Sequence, residues 1–122
     1  MEFNDLAGME AALAHGDVAA ILMEPAMTNI GIVLPDEGYL EAVGKLAKKY
    51  GAVWIIDETH TISTGPGGMT KLYNLKPDML TIGKAIAGGI PTGTFGMSKE
   101  IAERIASGVK REKIDTGGIG ST

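Results

Sequence analysis

Apolar and polar residues follow helical spacing in two parts of the chain. Residues 5–15 and 40–50 place apolar side chains three and four positions apart, which predicts one helix in each stretch. Asp36 precedes the second stretch, and its carboxylate is expected to accept the free N–H groups of that helix's first turn. A third helix is expected over residues 99–109, because Ser98 is a favourable residue for an N-terminal cap.

Shorter apolar runs lie between the helices. Residues 18–23, 52–56 and 79–82 are too short for helices and predict strands, the first two of a type buried on both faces of a sheet. Residues 92–97 indicate a fourth strand more weakly, and residues 59–75 show no period and are expected to form a long loop. Strands that alternate with helices predict an α/β fold with a mainly parallel sheet and flanking helices.

Charged residues lie one or two positions after three of the predicted strands. They are Glu24, Asp57 and Lys84, and ligands bind at the carboxyl ends of strands in such sheets. Asp57 could anchor a cation, a metal or a protonated ring nitrogen, or it could simply cap a loop. Lys84 lies between Ile82 and Ile86, where an apolar floor would lower the pKa of its ammonium group and free the amine for attack on a carbonyl. The alternative is an ordinary solvated lysine.

Two other kinds of site are weaker interpretations. Asp57, Glu58 and His60 could begin a metal site, but His15 lies at a predicted helix end and does not complete it, so no metal ligand is assigned. An apolar strand followed by an acidic residue, as in VWIIDE, is also typical of the metal-binding strand of nucleotide hydrolases. Neither GPGGMTK nor TIGKA, however, has the spacing of their phosphate-binding loop.

Composition excludes several classes of protein. The net charge of −4 and pI near 5.1 give no basic field to bind nucleic acid. The cysteine count of 0 excludes disulfide scaffolds and thiolate metal sites. No apolar run approaches the roughly 18 residues of a membrane span, and no signal peptide is recognisable, so a cytoplasmic location is expected. The 18 glycines lie partly in clusters, which indicates tight turns and close approach of backbone to a ligand.

Three motifs, taken in order, carry a family resemblance. They are MEPAMTNIGIVLPDEGYL, KKYGAVWIIDETHT and LKPDMLTIGKAIAGGIPTGTFGMS. Together they resemble the class III aminotransferases, which are pyridoxal-phosphate (PLP) enzymes of fold type I, and within them the glutamate-1-semialdehyde aminomutase-like branch. The resemblance covers roughly residues 18–122. It implies that the chain is a segment from the centre of the PLP-binding large domain, without the N-terminal part and the small C-terminal domain.

The resemblance also implies a role for five residues. Lys84 matches the lysine that forms the Schiff base with PLP, and Asp57 matches the acid that pairs with the pyridine nitrogen. Thr59 stands where a side chain usually packs on the face of the ring, and His60 stands where Gln often lies near the ring hydroxyl. Thr122 resembles the threonine that reaches the cofactor phosphate of the neighbouring subunit in a dimer.

Asn29 completes the cofactor-binding set implied by the resemblance. Ornithine- and GABA-type members have Glu there, paired with a substrate-reading Arg. Asn29 cannot form that ion pair, which argues against their dual-substrate switch. The expected function is transfer of an amino group between an amino compound and an oxo compound by a homodimer, without nucleic acid or membrane as a partner. An aminomutase or racemase, and a catalytically silent fragment or interaction module, remain the alternatives.

Overall fold

The computed structural model of the chain describes residues 1–112. These residues form one four-stranded sheet with helices packed against it. The helices are α1 (Leu6–Leu13), α2 (Tyr39–Tyr50), α3 (Gly68–Leu72) and α4 (Lys99–Glu112). The strands are β1 (Ala20–Met23), β2 (Val53–Asp57), β3 (Met79–Ile82) and β4 (Thr94–Met97), and two 3-10 turns span Thr61–Thr64 and Lys84–Ala87.

The strands lie in the sheet in their order along the chain. β1 pairs with β2 and β2 with β3 in parallel, and β4 returns antiparallel to β3. The predicted α/β class and mainly parallel sheet are therefore confirmed. β3 has the predicted bounds, and β4, the weakest of the predicted strands, is also present.

One face of the sheet is covered by α1 and α2. Trp54 and Ile56 of β2 point into this core, where they join Leu40 and Val43 of α2 and apolar residues of α1. Gly44 allows the close contact, because a Cβ atom there would lie 2.7 Å from Cζ3 of Trp54. Burial of these side chains is the main source of stability in the described part of the chain.

The opposite face of the sheet is open among residues 1–112. Leu22 of β1 is 67% exposed and Phe95 of β4 is 45% exposed. The expectation that β1 is buried on both faces is therefore wrong for the described chain, since β1 alternates between buried Ile21 and exposed Leu22. The physical reason is that the buried core of the described residues, which includes α1 and α2, takes in Ile21, whereas Leu22 stays outside it.

The first turns of α4 and α2 are capped in different ways. The Ser98 hydroxyl accepts a hydrogen bond from the N–H of Ile101 at 3.3 Å, so the predicted cap of α4 is confirmed. The predicted cap of α2 is wrong, because Gly38 precedes the helix with φ +77° and no side chain caps it. Asp36 contributes its backbone carbonyl instead, which accepts from the N–H of Tyr39.

The segment predicted as a long loop is partly helical. Residues 59–75 contain the turn Thr61–Thr64 and helix α3. Their order depends on Glu58, a buried carboxylate whose contacts are described below. None of the helices in the described residues is long and apolar enough to cross a membrane.

Candidate functional site

The carboxyl ends of β2 and β3 meet at one edge of the sheet. Asp57 is the last residue of β2 and pairs with Thr81 of β3. The ladder extends one step further, because the N–H of Glu58 donates to the carbonyl of Thr81 at 2.8 Å. Lys84 begins the turn that follows β3. The parallel register therefore brings the predicted carboxylate and the predicted amine to neighbouring strand ends.

Thr59 links the two strand ends. Its N–H donates to Oδ1 of Asp57 at 2.8 Å, and its hydroxyl oxygen accepts from the N–H of Gly83 at 3.0 Å. The first bond fixes the Asp57 carboxylate, and the second fixes the backbone immediately before Lys84. No hydrogen bond among residues 1–112 uses Oδ2 of Asp57, so this oxygen is available to a ligand.

Lys84 has an unusual backbone and a close polar neighbour. Its φ of +49° is in the left-handed region, which a residue with a Cβ atom rarely adopts because the conformation is strained. Its Nζ lies 2.6 Å from Nε2 of His60. Lys84 is exposed and Ile86 is 42% exposed, so the described residues do not form the apolar floor expected from the sequence.

The sequence did not indicate the structural role of Glu58, which organises the residues after β2. It is fully buried, and its carboxylate accepts hydrogen bonds from the Thr61 hydroxyl, from both the N–H and the hydroxyl of Thr70, and from the N–H of Met69. Four donors compensate the burial of one carboxylate and hold α3 against the end of β2. Gly68, with φ +62°, leaves room for it, because a Cβ there would lie 2.6 Å from Oε2 of Glu58.

The remaining predicted residues lie apart from this group or outside the described residues. Asn29 is exposed in a turn closed by two backbone hydrogen bonds between Met27 and Val33. No hydrogen bond among residues 1–112 joins Asn29 to Asp57, His60 or Lys84. Glu24, at the end of β1, accepts from the Thr28 hydroxyl at 2.5 Å. Thr122 lies outside the described residues.

Two other features bear on the kind of site. Within residues 1–112, no group of three His, Asp or Glu side chains is arranged to hold a metal ion. A cleft of about 620 Å³ lies between α2, residues 74–78 and α4, with Trp54, Asp78 and Arg104 among its lining residues. Neither Asp57 nor Lys84 lines this cleft.

Comparison with known proteins shows the family to which the chain belongs. Residues 2–119 match the family model described as Aminotransferase class-III. The chain belongs to the class III aminotransferase family. Enzymes of this family use PLP, and the fold of the described residues is that of PLP-dependent aminotransferases of fold type I.

Individual relatives in the class III family can be compared over part of their length. A glutamate-1-semialdehyde 2,1-aminomutase from Methanothrix thermoacetophila is 45% identical over 105 residues, which is 85% of this chain and 24% of the relative. A crystal structure of a glutamate-1-semialdehyde aminomutase from Pseudomonas aeruginosa PAO1 superimposes with a TM-score of 0.87 and 48% identity, over 100% of this chain and 26% of that one.

A lysine-to-alanine variant of the same Pseudomonas aeruginosa enzyme was solved in complex with PMP. It gives a TM-score of 0.86 and 47% identity over 100% of this chain and 26% of that one. The chain therefore spans about a quarter of the length of the relatives it matches.

Proposed function

We propose that this chain is the segment of a PLP-dependent class III aminotransferase that supplies the lysine and the aspartate of the cofactor site. The whole protein would transfer an amino group between an amino compound and an oxo compound. The observation that supports this most directly is the position of Asp57 and Lys84 at the ends of adjacent parallel strands, joined through Thr59. Family membership supports the same function.

The chemistry of the side chains fits PLP. An amine is required for the cofactor's aldehyde and an anion for its protonated pyridine nitrogen, and Lys84 and Asp57 supply one each. Within residues 1–112, the N–H of Thr59 uses Oδ1 of Asp57 and leaves Oδ2 for such a partner. In the same proposal Thr59 packs on the face of the ring and His60 lies near the ring hydroxyl. Asn29 and Thr122 join the set on the sequence resemblance alone.

The two charged residues would divide the work between them. When bound, PLP supplies an electron sink for the electrons released at the substrate carbon. Asp57, as a carboxylate, pairs with the ring nitrogen and keeps a proton on it. The Lys84 amine would hold the cofactor through its aldehyde, and the free amine would accept a proton from the substrate carbon at Nζ. Arginine could not replace Lys84, because its guanidinium stays protonated.

Borohydride reduction of the PLP-loaded protein tests the assignment of the lysine. We expect the cofactor to become irreversibly attached to Lys84, and peptide mass mapping should locate the added mass there. Lys71 and Lys76, both exposed and close along the chain, serve as internal controls that should carry no label. A label on another lysine would refute the assignment.

An aminomutase is the second candidate, because the relatives at 45% and 48% identity are named glutamate-1-semialdehyde aminomutases. An aminomutase returns an isomer of its substrate and needs no second oxo compound. Incubating the protein with an amino substrate, with and without an oxo-acid acceptor, distinguishes the two. Isomer formation without acceptor supports the aminomutase, and amino transfer that depends on the acceptor supports the transaminase.

The assembly, domain and location belong to the same proposal. We propose a homodimer in which this chain is part of the PLP-binding large domain, located in the cytoplasm. The sequence resemblance supports the dimer and the domain. Sedimentation of the whole protein tests the dimer, limited proteolysis tests the domain boundary, and cell fractionation tests the location.

A further inference from the structure

The close pair formed by His60 and Lys84 joins residues that are 24 positions apart in sequence. Nε2 of His60 lies 2.6 Å from Nζ of Lys84, which is a hydrogen-bond distance. A lysine ammonium has three N–H donors and no acceptor. The contact with a charged Lys84 therefore requires that Nε2 carry no proton, so that the neutral imidazole keeps its proton on Nδ1.

The backbone around His60 is fixed on both sides. Before it, the N–H of Thr59 is bound to Asp57 and the Thr59 hydroxyl to the N–H of Gly83. After it, the Thr61 hydroxyl is bound to the buried Glu58 carboxylate, and the Ser63 hydroxyl donates to the His60 carbonyl at 2.9 Å. The backbone that carries the imidazole is therefore held in place on both sides.

Lys84, in contrast, needs an external restraint. Its side chain is exposed and has four rotatable bonds, so the amine could occupy many positions at the edge of the sheet. Its left-handed backbone directs the start of the side chain, but the described residues pack little against the rest. A single strong acceptor at the end of the side chain would restrict the amine most effectively.

We propose that His60 is a positioning residue for Lys84, whose amine donates a hydrogen bond to Nε2 of the Nδ1–H tautomer and is held at the strand ends before PLP binds. This inference rests on the proposed function, since it concerns the preparation of the same lysine. It assigns His60 a role that is independent of any contact with the cofactor ring.

The hydrogen bond can be measured in the whole protein with PLP removed. We expect the ¹⁵N resonance of His60 Nε2 to report an unprotonated, hydrogen-bonded nitrogen, and to shift when Lys84 is replaced in Lys84→Met. Lys71→Met is the matched control, because Lys71 is an exposed lysine on α3, and it should leave the His60 resonance in place. The exposed His15 should respond to neither variant. An unchanged His60 resonance in Lys84→Met would overturn the proposal.

The rate of PLP capture gives a second, functional measurement. His60→Phe keeps a ring but no acceptor and should slow the appearance of the cofactor's absorbance band roughly tenfold, the effect of losing one hydrogen bond to a charged group. His60→Gln keeps an acceptor oxygen and should restore the rate to within about threefold of the original. Equal rates for Phe and Gln variants would contradict positioning by an acceptor.

The two proposals fail in different ways. If borohydride labels Lys84 but the His60 resonance is unchanged in Lys84→Met, the proposed function stands and the role of His60 is wrong. If the resonance shifts but the label is found on another lysine, the contact is real and the function assigned to Lys84 is wrong.

Discussion

The N–H of Gly83 donates a hydrogen bond to the Thr59 hydroxyl across 3.0 Å, and this bond joins the ends of β2 and β3 immediately before Lys84. We expect Thr59→Val to weaken PLP binding by roughly tenfold, because valine keeps the shape of threonine and leaves the Gly83 N–H without its acceptor. Equilibrium titration with PLP measures the change. Thr64→Val is the control, since the Thr64 hydroxyl donates to the Thr61 carbonyl and contacts neither strand end. Equal affinities in both variants would contradict the link.

Asp57→Asn separates the charge of Asp57 from its shape. The amide oxygen can still accept from the N–H of Thr59, so the local backbone should survive, but the anion for the ring nitrogen is lost. We expect turnover of the whole protein to fall roughly 100-fold, as measured by steady-state kinetics, with an unchanged circular dichroism spectrum. The exposed Asp36→Asn variant should behave like the original protein. Near-normal turnover of Asp57→Asn would count against the proposed mechanism.

Glu58→Gln tests the buried carboxylate that organises α3. A glutamine offers one acceptor oxygen, and its NH₂ group would face N–H and O–H donors that now bind a carboxylate. We expect the free energy of unfolding to fall by about 2–4 kcal/mol, read as a lower thermal midpoint. Glu37→Gln changes an exposed carboxylate and should have no measurable effect. A Glu58→Gln midpoint equal to that of Glu37→Gln would show that the buried charge is not required.

Two glycines within helices should respond in opposite directions to alanine. A Cβ at Gly44 in α2 would lie 2.7 Å from the ring of Trp54, so Gly44→Ala should destabilise the fold by about 1–3 kcal/mol through overpacking. A Cβ at Gly108 in α4 would meet nothing within 4 Å, so Gly108→Ala should stabilise the helix by about 0.5–1 kcal/mol. Thermal midpoints measure both, and a stabilising Gly44→Ala would show that the Trp54 ring can move away.

Tyr39 predicts a loss of stability in alkali. Burial raises the pKa of its phenol, with a nearby backbone hydrogen bond to Asn4 acting in the opposite direction. Because the folded-state pKa is the higher one, the contribution of Tyr39 to stability is complete below the pKa of the unfolded chain, about 10. It decreases as the pH rises from there through the folded-state pKa.

Tyr39→Phe checks this prediction, because phenylalanine cannot ionise. Denaturant unfolding at a series of pH values above neutrality should show a smaller loss of stability with pH than in the original protein. Tyr73→Phe removes a more exposed phenol and is the matched control. Identical pH dependence for Tyr39→Phe and the original protein would exclude Tyr39 as the source.

The sequence predicted those parts of the fold that depend on local pattern. The apolar run at residues 79–82 became β3 with the same bounds, and Ser98 caps the helix that it precedes. Asp57 and Lys84 could be placed at neighbouring strand ends, because the alternation of strands and helices indicates a parallel sheet. These inferences use information carried by residues close together along the chain.

The parts that could not be predicted depend on contacts between distant residues. Helix α3 is short and has no clear apolar period. It is held in place by the carboxylate of Glu58, which lies 11 and 12 positions before the Met69 and Thr70 N–H groups that it binds. The pairing of His60 with Lys84 needs the register of β2 and β3 to be known first. The exposure of Leu22 depends on which elements cover each face of the sheet. The apolar residues of β1 alone do not show which face is covered.

The antiparallel return of β4 affects how far the position of Lys84 depends on the segment that follows it. Ile82 pairs with Thr94, so the segment 83–93, which carries Lys84, leaves the sheet and returns to it at the same end. Lys84 lies just past the last paired residue, whereas the Gly88–Gly89 corner lies further out. A change in the length of the segment at that corner should be absorbed there and should leave the position of Lys84 unchanged.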